Sequence, residues 1–399
     1  MGLSTGECWD GLVAGQSGIG PITYFDPDGC PSRVAGQIPA GYASLERDRL
    51  PPDFRKRSVA TTAISYLVGD EAIRDAKLDL ESADRERIAV ISGCGGSTFG
   101  DQLHDGTSGP RLVPYSHDML NAPAAVLSIE FGLGGPSYNV ATACASGGYA
   151  VHAAASYVRN GGPAALAVGV ERLLCREVVE AFGRLMALSD RNDPPQKASS
   201  PFDKNRSGFV LAEGACAILV EDLDAARRRG ARIYALVAGG AMTSEAYNIL
   251  APDPEGGGMA TTMSRALEDA GVSRETVGYV DAHGTSTTQN DAAETKAIKQ
   301  VFGDHAYRLA VSSQKSMMGH AIGAAGALEC AVTALTLYHQ VLTPTINYEV
   351  PDPDCDLDYV PNRARTVSGL KAAISGSYGF GGHNTVVVMQ RYTPGDSVA

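Results

Sequence analysis

Residues Tyr138–Val158 read YNVATACASGGYAVHAAASYV, and residues Ser312–Val341 read SSQKSMMGHAIGAAGALECAVTALTLYHQV. In each, a lead segment ends in one chemically capable side chain, Cys144 or His320, and a run of small apolar residues follows. A helix built from such a run has almost no polar face, so it must be buried on all sides. The two runs therefore predict two similar helices lying between sheets. Strand-like apolar runs surround them: Arg87–Ser92 (RIAVIS), Ala165–Val170 (ALAVGV), Ala215–Val220 (ACAILV), Val277–Ala282 (VGYVDA) and Leu309–Ser313 (LAVSS). Between these lie longer segments with helical spacing, such as Met259–Ala270 after the glycine turn Gly256–Gly258. Strands alternating with helices predict an α/β fold with buried sheets. The pattern also suggests a duplication whose halves, 1–228 and 229–399, join near the charged helix EDLDAARRRGAR (Glu221–Arg232). Two Ala-rich helices in an unduplicated α/β protein would produce the same pattern.

The 399 residues carry 33 Lys plus Arg against 45 Asp plus Glu, a formal charge of −12. That balance argues against nucleic acid or an anionic membrane as the partner, since both require a basic field. With 44% hydrophobic and 20% charged residues, the chain can build a large core without staples. Its eight cysteines form no CxxC pair and no zinc-ligand spacing with histidine. That usage predicts a reducing, cytoplasmic setting and no structural metal. The N-terminus has no signal-peptide pattern. Ala321–Leu342 approaches membrane-spanning length, but it contains Glu329 and His339 and is better read as a buried core helix.

Several polar residues stand where chemistry could be done. Cys144, at the start of the first Ala-rich run, sits where free N–H groups and the helix dipole favour thiolate. A buried structural cysteine is the simpler alternative. His283 lies in VDAHGTSTTQND (Val280–Asp291), where a strand ends and a polar loop begins. Asp291 and Glu294 follow where a helix should start, and their simplest reading is as acids favoured by its dipole. His320, at the start of the second run, should stay neutral there and can donate from Nε2. Taken singly, each histidine is more often structural; one cysteine and two histidines at element ends form a catalytic constellation. Lys315 stands between apolar segments and needs a partner if buried, for which Glu329 is positioned. Near the C-terminus, SGSYGFGGHNTVVVM (Ser375–Met389) sets Gly379, Gly381 and Gly382 around Phe380. Such a turn exposes backbone N–H groups, as an oxyanion hole requires, and equally suits a tight loop before the final strand.

The blocks TACASG, ALSDRNDPPQKASSPFDKNRSGFVLAEGA, DAHGTSTTQND, KSMMGHAIGAAGALE and GFGGHN stand in this order along the chain. Together they resemble the β-ketoacyl-[acyl carrier protein] synthase II family of condensing enzymes, including the ketosynthases of type II polyketide pathways. The resemblance implies a thiolase-like fold with two duplicated α/β halves in five αβαβα layers. It implies that Cys144 takes the acyl chain and that His283 and His320 bind the malonyl thioester and promote loss of carbon dioxide. The amides of Cys144 and Phe380 would hold the oxyanion, and Phe380 would gate the acyl pocket. Lys315 and Glu329 would order the histidines, with Asp291 and Glu294 as structural support. Thr285 and Thr287 would contact the substrate's pantetheine arm, and Gly381 would also bind substrate. No metal or redox cofactor is implied, because the substrates ride on the phosphopantetheine of acyl carrier protein. The partners implied are that carrier protein and a second subunit, either another copy or a chain-length partner.

Three departures from the family pattern stand out. Met1-Gly2-Leu3 leads almost directly into Trp9, where the family opens with a buried strand, so one central strand is expected to be missing. Asn248 and Leu250 replace His and Thr in EAYNILAP (Glu245–Pro252), and His383-Asn384 replaces a Thr-Asn pair. TQND after His283 leans toward the polyketide ketosynthases. A chain-length partner subunit would lack Cys144, and a degradative thiolase would carry a second cysteine in the C-terminal glycine motif. An acidic carrier protein needs a local basic face on this acidic chain, and Arg55-Lys56-Arg57 is the candidate, with Arg47 and Arg49 nearby. A solvated helix start is the plain alternative for that run.

Overall fold

The two Ala-rich runs form the helices Ser146–Arg159 and Ala325–His339 in a computed structural model that describes residues 1–96, 117 and 119–394. They lie side by side at the centre of the molecule. A Cβ on Gly147 would stand 2.6 Å from the amide nitrogen of Ala327, and one on Gly326 would stand 2.5 Å from that of Gly148. Only glycine allows these backbones so close, which is why small residues crowd both runs.

A sheet covers each side of this pair. Strands β1 (Ile19–Pro21) and β2 (Val34–Gly36) form a small separate ribbon. The first large sheet contains β3 (Ala89–Gly93), β4 (Ser137–Val140), β5 (Ala164–Glu171) and β6 (Gly214–Glu221), in the order β4-β3-β5-β6. The second contains β7 (Leu236–Ser244), β8 (Val277–Asp281), β9 (Ala310–Ser312), β12 (Ala372–Gly379) and β13 (His383–Gln390), in the order β7-β13-β12-β8-β9. The remaining β10 (Val341–Leu342) and β11 (Arg365–Thr366) make a second ribbon.

The strands read as unbroken apolar runs because both faces are buried. Side chains alternate between faces: Ala89, Ile91, Ala165 and Ala167 turn inward to the central helices with Ala150, Ala327 and Cys330. Val90, Leu166 and Val168 turn outward against Ile73, Ala124 and Leu127 of the helices Ala60–Asp75 and Ala122–Phe131. Alanine dominates the inward side because the central helices press close there. Helices Gly257–Ala270 and Thr288–Phe302 cover the second sheet through Met259, Met263, Ala297 and Ile298. The layers run helices, sheet, helix pair, sheet, helices, which is the αβαβα arrangement expected. Truncating fully buried Leu166 to Ala would cost about 2–5 kcal/mol.

The sheets repeat one another. In both, two parallel pairings are followed by an antiparallel one: β4, β3, β5 and β6 correspond to β9, β8, β12 and β13. The strand β7, antiparallel to β13, has no counterpart beside β6 among the described residues. That is the place of the strand expected to be missing. A groove of about 1600 Å³ runs there, lined by Cys216, Ile218 and Val220 of β6 and by Val332 and Leu335 of the central helix. Every residue of β6 is consequently half-exposed, whereas Asn384–Met389 of β13 are buried. The halves join through the short helix Leu223–Arg228, where the Asp222 carboxylate accepts from the Ala225 amide at 2.9 Å. No helix among the described residues is long and apolar enough to cross a membrane, and Ala325–His339 is a core element.

Candidate active site

Cys144 sits on a sharp turn between β4 and the first central helix. Ala143 takes the left-handed conformation at φ 48°, which is uncommon for a residue with a Cβ. Ser146 stabilises it: its hydroxyl accepts from the Thr142 amide at 2.8 Å and donates to the Ala143 carbonyl at 2.7 Å. The end of β12 comes down onto this turn. A Cβ on Gly379 would meet the Thr142 carbonyl oxygen at 2.7 Å and the Cys144 nitrogen at 3.2 Å, so glycine is required. This brings the amides of Phe380 and of Cys144 itself to the sulfur. The thiol is almost wholly buried, and burial pushes it up to about 12 against the pull of Lys315 and the two amides. The sequence led us to expect a dipole-favoured thiolate. Desolvation outweighs the dipole, so the resting group is the thiol.

His283 lies two residues beyond β8, on a loop gripped by Glu294. One carboxylate oxygen of Glu294 accepts from the His283 amide and the other from the Gly284 amide, both at 2.8 Å. Asp291 accepts from the Phe202 amide at 2.8 Å and faces Arg206 Nε at 3.7 Å. Both acids are fully buried. The helix-dipole reading of these two acids is therefore replaced: they clamp the loop that aims His283. Burial pushes the Glu294 carboxyl up to about 7, although the Gly284 amide opposes the rise.

His320 is held by its backbone. Its amide donates to the Val210 carbonyl at 2.7 Å, and its carbonyl accepts from the Ala212 amide at 2.9 Å. Its ring meets Phe209 and His283 edge-on, each with centroids 5.3 Å apart, and neither ring nitrogen has a hydrogen-bond partner. Both histidines are held well below the usual histidine range, first by burial and then by the Lys315 charge. Neutrality was expected for His320 from a helix N-terminus; burial and Lys315 supply it instead. Lys315 Nζ lies 3.3 Å from His283 Nδ1 and pairs with Glu329. An ammonium can only donate, so Nδ1 accepts and the imidazole proton resides on Nε2. Cys144 Sγ and one nitrogen from each histidine all lie within 4.8 Å of one another.

The comparisons with known proteins agree with this geometry. Residues 1–226 match the model of the beta-ketoacyl synthase N-terminal domain, and residues 234–349 match that of its C-terminal domain. The chain belongs to the β-ketoacyl synthase family. It is 40% identical to the 3-oxoacyl-[acyl-carrier-protein] synthase 2 of Coxiella burnetii and, again at 40%, to that of Synechocystis, covering 98% of this chain and 95% of each relative. Among solved structures it resembles a ketosynthase bound to a hexaketide in complex with a type II polyketide acyl-carrier protein (TM-score 0.87, 32% identity, covering 98% of this chain and 96% of that one). It resembles the ishigamide ketosynthase/chain length factor equally closely (TM-score 0.87, 31% identity, covering 98% and 96%). The chain is an acyl-transferring condensing enzyme.

Around this synthase core, other expected residues fall in different places. Phe380 stacks on Phe182 with centroids 6.4 Å apart, over the Cys144 turn. The Thr285 and Thr287 hydroxyls lie 2.8 Å apart, and Thr287 also caps the helix Thr288–Phe302. Gly381, left-handed at φ 83°, gives its N–H to the Ile249 carbonyl at 2.8 Å. The Asn248 side chain is occupied in its own turn, accepting from the Leu250 and Ala251 amides at 2.9 and 3.1 Å. Asn384 donates to Glu245 at 3.1 Å, and the His383 ring turns edge-on to Tyr149. Arg55, Lys56 and Arg57 lie on the short helix Pro52–Arg57, whose Phe54 packs with Leu50, Ala63, Leu67 and Val126. Arg57 is tied to Glu130 at 2.6 Å, and Lys56 meets Asp53 at 3.3 Å with both side chains largely solvated.

Sequence reasoning missed two buried acids of this site. Asp281 accepts from Thr333 at 2.9 Å and faces the Lys315–Glu329 pair. It stands inside the VDAHG motif, and a strand-end acid two residues before the candidate His283 was the available signal. Glu171, the last residue of β5, is fully buried near Cys144; an acid closing the apolar run ALAVGV was the signal there.

Proposed function

We propose that the chain is an elongating 3-oxoacyl-[acyl-carrier-protein] synthase acting in fatty-acid or type II polyketide assembly. The observation that carries this reading is Cys144 within 4.8 Å of two neutral histidines, beneath the amides of Phe380 and Cys144. In the first half-reaction the Cys144 sulfur attacks the acyl thioester of a carrier protein. The C–S bond to pantetheine breaks, and the thiol proton leaves with the pantetheine sulfur. The two amides face the oxygen that becomes negative; such donors are each worth about 10²–10³ in rate. In the second, the malonyl thioester oxygen accepts from His283 Nε2–H and His320. Loss of carbon dioxide leaves an enolate that these neutral donors stabilise without trapping a proton. The enolate carbon attacks the acyl–Cys144 carbonyl, the thiolate leaves and regains one proton, and a β-ketoacyl thioester is released.

Lys315 holds the His283 tautomer, Glu329 neutralises Lys315, and Glu294 with Asp291 fixes the loop. Phe380 covers the acyl pocket, Thr285 and Thr287 flank the pantetheine path, and Gly381 lines the substrate site. Thiol, imidazoles and amides supply all the chemistry, so the reaction uses no metal or redox cofactor. The macromolecular partners are an acyl carrier protein, approaching through Arg55 and Lys56, and a second subunit, either identical or a chain-length partner. The setting is the cytoplasm. Purified protein given malonyl- and acyl-carrier protein should release carbon dioxide and form a ketoacyl product. Absence of product, or turnover undiminished in Cys144→Ala, would sink the proposal.

A further inference from the structure

The duplication extends to the catalytic turn. In the second half, Ile322 is left-handed at φ 39° and Gly323 follows it, just as Cys144 follows left-handed Ala143. Each pair opens a short 3-10 turn before a central helix. Gly95 lies two residues beyond β3, as His283 lies two beyond β8, and Glu171 ends β5 as Gly379 ends β12. Gly323 of the second half, with Gly95 and Glu171 of the first, therefore repeats the site with glycines where the first arrangement has its cysteine and its histidine. The Glu171 carboxylate fills the space. Its Oε2 accepts from the Gly95 amide at 2.9 Å and from the Gly323 amide at 3.0 Å, and the Gly96 amide adds a third donor. Oε1 faces Cys94 Sγ at 3.9 Å. A Cβ on Gly323 would stand 2.5 Å from both Oε2 and the Gly95 amide nitrogen, so Gly323 must be glycine, and one on Gly95 would stand 2.9 Å from Oε2 and displace the carboxylate.

We propose that Glu171 is a positioning residue for the condensation: its carboxylate occupies the second turn's amide cradle and, by holding Gly323, sets the backbone that carries His320 and Ile322 against Cys144. His320 has no hydrogen bond to either ring nitrogen, so its aim depends on that backbone and on its ring neighbours. The Ile322 side chain packs in one cluster with Cys144, Phe209 and Leu211, so the same turn shapes the wall beside the nucleophile. A β-branched residue at positive φ is strained, and the held Gly323 amide is what keeps it there. Burial pushes the Glu171 carboxyl up to about 7 while the glycine amides oppose the rise. Among the described residues this buried acid faces no cation, and backbone donors ring it instead.

The inference rests on the condensing activity proposed above. The test uses the full chain as wild type, Glu171→Ala and Glu171→Gln, with carbon dioxide release from malonyl-carrier protein and thermal melting as readouts. Glu171→Ala should fold and lose about tenfold or more in kcat, because a catalytic group displaced by about 1 Å costs up to about 10². Its KM for the carrier substrate should change much less. Formate at about 0.1 M should enter the vacated cradle, restore part of that turnover and raise the melting temperature of Glu171→Ala but not of wild type. Unchanged turnover in Glu171→Ala overturns the proposal, as does an impaired, folded Glu171→Ala that formate leaves unaltered. Should Glu171→Ala fail to fold, Glu171→Gln decides, because its carbonyl oxygen can take the place of Oε2: turnover within about fivefold of wild type supports the cradle, and a larger loss overturns it. An inactive wild type would fail the condensing assignment instead, and the formate-dependent melting shift would still judge the cradle.

Discussion

Lys315 is the cation facing the buried acids Glu329 and Asp281, and that makes its removal a sharp test. Lys315 pairs with Glu329 and donates to His283, while Asp281 lies close by and all four side chains are buried. Lys315→Met keeps the bulk and deletes the charge, leaving Glu329 facing Asp281 without compensation. Breaking a buried pair this way costs about 3–5 kcal/mol. The unfolding entropy near the melting point is about 2.1 cal/mol/K per residue, or about 0.8 kcal/mol/K for this chain, so melting should fall by about 4–6 K. Adding Glu329→Gln removes the stranded charge and should recover at least about half of the loss. The pH dependence has a definite sign. The Glu329 carboxyl is already raised to about 7 from its ordinary 4.5, mainly by burial, with Lys315 pulling it down. A raised carboxyl means that the folded state holds the proton more tightly, so this residue's contribution is lost as pH rises from about 4.5 through about 7. Without Lys315 the carboxyl rises further, and the deficit of Lys315→Met should widen between pH 6 and pH 8. Melting curves of wild type, both single variants and the double variant at those two pH values measure it. A double variant no more stable than Lys315→Met, or a deficit independent of pH, would refute the reasoning.

Other outcomes follow from the same geometry. His320→Ala should lower carbon dioxide release by about 10²–10³ while acyl transfer to Cys144 stays within about tenfold, because only the enolate needs that donor; radiolabelled malonyl and acyl substrates separate the two, and equal losses would contradict the assignment. Gly379→Ala pushes a methyl into the Thr142 carbonyl and toward the Cys144 amide, so kcat should drop at least about tenfold with about 1–3 kcal/mol of destabilisation by urea titration. Arg55→Glu with Lys56→Glu should raise KM for carrier-bound substrate several-fold at low salt and leave kcat with a free pantetheine thioester unchanged; equal KM values would remove that helix from the docking face.

Cys144, His283 and His320, which the fold brings together, were readable as candidates from the chain because each sits inside a local pattern. Small residues after Cys144 and His320 announce buried helices, and a polar loop after VGYVDA marks His283. Lys315 and Glu329 were matched by the rule that a buried charge needs a partner. The strands β7 and β12 were harder to read: LVAGGAMTS and AAISGSYG carry glycines that blunt the strand pattern, and β12 needs Gly379 for its approach to Cys144. Asp291 and Glu294 illustrate the other difficulty. An acid at a helix start looks like a dipole partner in sequence, and only the packing of the 283–287 loop turns these two into clamps.

The two Ala-rich runs and the alternating apolar segments were enough to predict an α/β fold with buried sheets, since periodicity is a local property, while the ordered motifs carried the resemblance that implied the family, its layers and Cys144 as the candidate nucleophile. The tertiary structure alone decided the protonation of Cys144 and the reason both histidines are neutral, because desolvation depends on what surrounds a group from every side. It also decided that β6 lies open where β13 is paired, and that Glu171, distant in sequence from Gly95 and Gly323, closes a second copy of the catalytic turn. Those facts arise where separate segments meet, and no single segment encodes its neighbours.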